Sequence, residues 1–186
     1  MTAGQDEHSG RGTGGLGSRS FVALLVTQGL GSLNDNLFRW FCVLLGMSTP
    51  TLGEATMSLG LICFTTPYLL LASYSAYVGD RFSKRRTIVV CKMAEILIML
   101  LAVGAMAMGN IYLVFLAVFL MGSQSAMFGP AKFGAIPEIV RAEKISSANG
   151  LLQMVTTAAS ALGMFVGFVL AAQAGIKQDD PSWLQD

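Results

Sequence analysis

Apolar residues run in five long blocks along this chain, at 20–46, 56–78, 87–108, 111–133 and 146–174, with short polar segments between them. Each block is long enough for a helix to cross roughly 30 Å of hydrocarbon. The pattern therefore predicts an all-α membrane protein with five transmembrane helices. The first block is interrupted at its centre by Ser32-Leu33-Asn34-Asp35-Asn36-Leu37-Phe38-Arg39. Charge at bilayer depth is costly unless it faces a bundle interior or a wet cavity. At about 3.6 residues per turn, Gln28, Ser32, Asp35 and Arg39 fall on one polar stripe. The stripe predicts a helix with one face on a polar cavity. The alternative is an Asp35–Arg39 pair that neutralises itself at i,i+4, but Gln28, Asn34 and Asn36 add polarity that such a pair does not need.

Composition agrees with a bilayer environment: 53% of residues are hydrophobic and 12% charged, where soluble domains carry about 25% charge. The net charge of +1 gives no ground for a nucleic-acid partner. The placement of the charges is more telling. Arg11 and Arg19 precede the first block, Arg81, Lys84, Arg85 and Arg86 lie between the second and third, and Arg141 and Lys144 between the fourth and fifth. The segments 47–55 and 109–110 carry no lysine or arginine. The positive-inside rule then places the N-terminus in the cytoplasm of a multi-pass protein of the cell inner membrane. Residues 1–19, rich in Gly, Ser and charge, are expected to be a flexible cytoplasmic tail. Residues 20–174 hold the helices, and 175–186 form an extracytoplasmic loop. The first block is too long and too polar in its middle for a signal peptide. Cys42, Cys63 and Cys91 match no metal or redox spacing and read as small apolar filler. No cofactor or metal site is expected.

The segment Ala76-Tyr77-Val78-Gly79-Asp80-Arg81-Phe82-Ser83-Lys84-Arg85 follows the second block. It resembles the signature loop of the major facilitator superfamily, Gly-x-Leu-Ala-Asp-Arg-x-Gly-Arg-Arg, with Asp80, Arg81, Lys84 and Arg85 in register. Ala76, Val78, Gly79 and Ser83 depart from the pattern. The resemblance implies a cytoplasmic latch made of Gly79, Asp80, Arg81, Lys84 and Arg85. In such a latch the aspartate meets a helix N-terminus in the second half, where the helix dipole favours an anion. A complete carrier of this class has about twelve spans built from inverted three-helix repeats. Five spans then correspond to most of a six-helix N-terminal half, and the C-terminal half is an expected partner.

Three further elements narrow the resemblance. Asn34-Asp35-Asn36 lies in the first block, Pro130-Ala131-Lys132-Phe133-Gly134 ends the fourth, and Ala148-Asn149-Gly150 opens the fifth. Together they resemble the bacterial lysophospholipid transporter family. The resemblance implies alternating access for a lipid-like substrate, with no chemistry on it, so not an enzyme. Lys132 and Arg39 are then candidate partners of a phosphate and Asn34, Asn36 and Gln124 of a glycerol or head amine, while Gln28 and Asp35 belong to the same pathway, Asp35 as a site for a coupling proton or sodium or as an ionised partner of Arg39. Other readings are the transport module of a fusion with an acyltransferase or acyl-activating enzyme, a carrier of another amphiphile, sugar or drug, or an inactive fragment.

Depth restricts the pairings. Asp35 lies about 22 Å from the inner end of the first span at 1.5 Å per residue, and Lys132 near the inner end of the fourth. A direct Asp35–Lys132 bridge is not expected. Glu95 is nearer the depth of Lys132 but also within i,i+3 reach of Lys92, the favoured partner. Ala159, Gly163 and Gly167 repeat every four residues, a face for close helix packing.

Overall fold

The computed structural model describes residues 14–49, 52–53 and 55–176. The side-chain surroundings of Gly79 and Asp80, and the terminal stretches 1–13 and 177–186 assigned above to the tail and the last loop, lie outside the described residues. Five long helices account for nearly everything else: α1 (Arg19–Met47), α2 (Ala55–Arg81), α3 (Lys84–Ala107), α4 (Ile111–Ile139) and α5 (Ile145–Gln173). A single 3-10 turn, Ala142–Lys144, joins the last two.

The turns follow from local chemistry. α3 ends where Gly109 takes φ +64°, with Gly109 N–H bonded to the Met106 carbonyl and Asn110 N–H to that of Ala105. This double closure needs a left-handed residue, which glycine supplies without a Cβ penalty. Asn110 Oδ1 then accepts from Tyr112 N and Leu113 N at 3.1 and 3.2 Å and caps α4. The reversal takes place around Gly109 and Asn110, so α3 and α4 lie antiparallel side by side.

Two boundaries differ from the sequence reading. The signature segment is barely a loop, because α2 continues through Gly79–Arg81 and α3 begins at Lys84, leaving Phe82 and Ser83 between them. The fourth span continues past 133 to Ile139, through Pro130 and Pro137. Each proline removes one backbone donor, yet Ala131, Ala135 and Ile136 are buried on that last stretch and hold it by packing.

α4 is the central helix, with buried residues from Val114 to Ile136. It packs mainly against α2 and α3, while α1 packs mainly against α5. One apolar core joins Phe38 and Cys42 of α1, Ala102 and Ala105 of α3, and Val114, Val118 and Met121 of α4. A second gathers Phe21, Leu24, Ile136, Val140, Ala148 and Leu152 near the other end. The α1–α5 seam is very close: a Cβ on Gly163 would overlap the Leu33 carbonyl oxygen, and one on Gly167 would lie 2.8 Å from that of Leu37. Small residues permit this backbone approach.

Residues 14–18, read from the sequence as part of a flexible tail, lie instead against the end of α4, and Arg19 already belongs to α1. Gly14 N–H bonds the Ile139 carbonyl at 3.2 Å, Arg141 N–H bonds the Gly14 carbonyl at 3.0 Å, and Leu16 packs on the second core. Ser18 then caps α1 through Phe21 N.

Large apolar side chains such as Leu30, Leu69, Leu97 and Phe165 point outward, as hydrocarbon contact requires. Among the described residues α2, α3, α4 and α5 are long and apolar enough to cross a membrane. α1 is as long as α4, at 29 residues, but falls short on hydropathy. The cause is Asn34-Asp35-Asn36 in its centre, which faces protein instead of lipid.

Candidate functional site

The polar centre of α1 opens onto a cavity of about 170 Å³ reached by all five helices. α1 contributes Gln28, Gly31, Ser32, Asp35 and Asn36, α2 Phe64 and Tyr68, α3 Lys92, α4 Gln124, Ser125, Phe128 and Lys132, and α5 Thr156 and Ser160. Pockets that enclose a whole drug-sized ligand measure about 300–1,000 Å³. This one is too small to enclose a whole ligand of that size.

Hydrogen bonds fix most of the wall. Gln28 Nε2 donates to Ser32 Oγ at 2.9 Å and to Thr156 Oγ1 at 3.0 Å. Asn36 Nδ2 donates to Ser160 Oγ at 3.0 Å and to the Ser32 carbonyl at 2.9 Å. Ser125 Oγ donates to Asp35 Oδ2, and Gln124 Nε2 to Ser125 Oγ at 3.3 Å. Asp35 Oδ1 and Gln124 Oε1 are buried with no donor among the described residues. Two open acceptors in a buried polar site are costly, so the wall is suited to a ligand that brings N–H or O–H groups.

The sequence candidates separate into two groups. Gln28, Asp35, Asn36, Gln124 and Lys132 line the cavity. Asn34 and Arg39 do not. Asn34 turns to α3 and donates to Glu95 Oε1 at 3.3 Å. Arg39 donates to Asn36 Oδ1 at 2.9 Å and lies over the Phe64 ring, 4.9 Å from its centroid. Among the described residues it makes no salt bridge with Asp35, so the self-closed pair is not what forms. Lys132 likewise makes no salt bridge with Asp35. It sits over Phe133 and Phe128, 5.0 and 5.9 Å from their centroids. Glu95 pairs with Lys92 at 2.6 Å, in line with the i,i+3 expectation.

Sequence reasoning did not pick out Ser125, Thr156 or Ser160, nor Lys92 as a lining residue. The α5 pair was within reach: Thr156 and Ser160 are four apart, on a face that continues to Gly163 and Gly167. A second groove of about 390 Å³ runs along α3 beside Ile96, Met99, Leu100 and Val103, with Asn34, Lys92 and Glu95 at one end. Lys92 lines both spaces.

At the former loop, Lys84 Nζ meets Glu138 Oε1 of α4 at 3.2 Å. Arg81 lies 5.9 Å from the Tyr77 ring centroid, and Arg85 is exposed. Among the described residues no cluster of three or more His, Cys, Asp or Glu side chains is placed to hold a metal.

The pairing of helices has a symmetry. An operation taking α1 to α4 and α2 to α5 takes the α1–α5 contact onto the α4–α2 contact, and these are the two most extensive in the molecule. Inverted three-helix repeats produce this relation. The Major Facilitator Superfamily profile matches residues 14–183, and the chain belongs to that superfamily, as a multi-pass membrane protein. Over 83–85% of its length it is similar to proteins named lysophospholipid transporter LplT: 31% identical to that of Cronobacter sakazakii, 30% to that of Serratia proteamaculans and 31% to that of Pectobacterium carotovorum subsp. carotovorum. The chain spans 36–38% of the length of these relatives. No solved structure matches it significantly.

Proposed function

We propose that this chain serves a carrier that moves lysophospholipid across the bacterial inner membrane by alternating access, without chemical change to the substrate. The observation that carries the reading is the head-group-sized polar cavity at membrane depth, with Asp35 and Lys132 in its wall, in a chain similar to named lysophospholipid transporters. Gln28, Asn36 and Gln124 bind alongside them. The N-terminus is cytoplasmic and residues 175–186 face the other side, as the distribution of basic residues favours. The working partner is a C-terminal half. Gly79, Asp80, Arg81, Lys84 and Arg85 form the cytoplasmic latch against it, with Asp80 at a helix N-terminus.

The test is uptake of labelled lysophospholipid into vesicles bearing the full-length protein, normalised to inserted protein. The reading expects uptake above protein-free vesicles and intact lysophospholipid recovered inside. Absence of uptake, or release of free fatty acid by the protein, would overturn it.

A further inference from the structure

We propose that Lys92 and Lys132, both beside the Phe128 ring, form an anion-binding pair, and that the pair takes the phosphodiester of the lipid head group. The proposal rests on the lysophospholipid reading and deepens it, because it brings in a residue of α3 and sets Arg39 aside. Lys92 is eight residues past the start of α3 and Lys132 seven before the end of α4. These helix ends lie on the same side of the molecule, so the two lysines sit at similar depths, about 12 and 10 Å at 1.5 Å per residue. Both line the one cavity. Lys92 Nζ is 4.9 Å and Lys132 Nζ 5.9 Å from the Phe128 ring centroid. Two ammonium groups drawn to one ring repel each other, and an anion that meets both relieves that repulsion.

Lys92 is held for this task. Glu95 accepts one of its three N–H donors through Oε2 at 2.6 Å, while Glu95 Oε1 is taken by Asn34. The carboxylate thus anchors the ammonium from the α1–α3 side and leaves donors for the cavity. On α1 the ammonium fits against Gly31, where a Cβ would come within 2.5 Å of Nζ. Arg39 has no such access: it bonds Asn36 and covers Phe64, outside the cavity lining.

The test compares binding of two labelled probes to the full-length protein in nanodiscs: lysophosphatidylethanolamine, and the monoacylglycerol with the same chain but no phosphate. The Lys92→Gln/Glu95→Gln double variant keeps the net charge and leaves no lone buried carboxylate. It should lose about tenfold in affinity for the phosphorylated probe, the scale of one hydrogen bond to a charged group, and keep its affinity for monoacylglycerol. Gly31→Ala should act the same way by displacing the ammonium. A double variant that keeps the wild-type ratio of affinities, or weakens both probes alike, makes Lys92 a structural counter-ion and overturns the proposal with the lysophospholipid reading intact. A wild-type protein that does not distinguish the two probes overturns that reading as well.

Discussion

Ser125 of α4 donates its hydroxyl to one oxygen of Asp35 on α1, and the other carboxylate oxygen stays buried without a donor among the described residues. This bond joins two helices at the centre of the bundle and directs half of the carboxylate at the cavity. Arg39, four residues along the same helix, is engaged with Asn36. Asp35 is therefore available to a ligand.

Asp35→Asn and Lys132→Ala are expected to insert normally and to lower lysophospholipid uptake by about tenfold or more, the worth of one lost charged contact. An asparagine keeps an oxygen for Ser125 and the shape of the site. Uptake into vesicles, divided by inserted protein, checks this; wild-type rates in both variants remove the two residues from the mechanism. Ser125→Ala should destabilise the bundle only slightly, by about 0.6 and at most about 1.7 kcal/mol, measured as a shift in thermal unfolding in detergent.

Gly163→Ala should cost about 1–3 kcal/mol through overpacking, because its new Cβ overlaps the Leu33 carbonyl. Gly150→Ala on the same helix meets nothing within 4 Å and should be neutral or stabilise by about 0.5–1 kcal/mol. Equal melting behaviour of the two variants would refute the close α1–α5 seam.

The Lys84–Glu138 bridge is part-exposed, at 29% and 53% of the side chains. Glu138→Gln should therefore change stability by less than about 1 kcal/mol, with the difference shrinking at high salt. A larger, salt-insensitive loss measured by denaturation would show that Glu138 holds the end of α4 against the start of α3 by other means.

Asp80→Ala in the full-length protein should raise cytoplasmic-side accessibility. A carboxylate at a helix N-terminus contributes roughly 0.3–1 kcal/mol, so the two-state balance moves by up to about fivefold. Thiol labelling of a cysteine placed at the cavity mouth measures this; unchanged labelling ends the latch assignment.

Cysteines placed at Ser83 and Met108, at opposite ends of α3, should label from opposite faces, Ser83 from the cytoplasm. Labelling of Ser83 from outside intact cells reverses the proposed orientation.

The five helices were legible because hydrocarbon imposes long apolar runs. The end of α4 was not: Pro130 and Pro137 signal a stop, and only the burial of Ala131, Ala135 and Ile136 shows why the helix continues. Periodicity placed Gln28, Ser32 and Asp35 on one face of α1 but does not say which helix each side chain meets. Asn34 therefore went to Glu95 instead of the cavity, and Arg39 to Asn36 and Phe64. Ser125, Thr156 and Ser160 were missed because a lone hydroxyl in an apolar span satisfies itself on its own helix as readily as it meets a neighbour. Their partners become visible only when α1 is placed between α4 and α5.

The separation of these partners along the chain also sets a timetable. Asp35 precedes Ser125 by 90 residues, Asn36 precedes Ser160 by 124, and Gln28 precedes Thr156 by 128. At synthesis rates of roughly 5–20 residues per second, the polar helix exists for about 5–25 s before its partners are made. For that interval the least lipid-compatible segment of the chain lacks the hydrogen-bond partners that α4 and α5 bring.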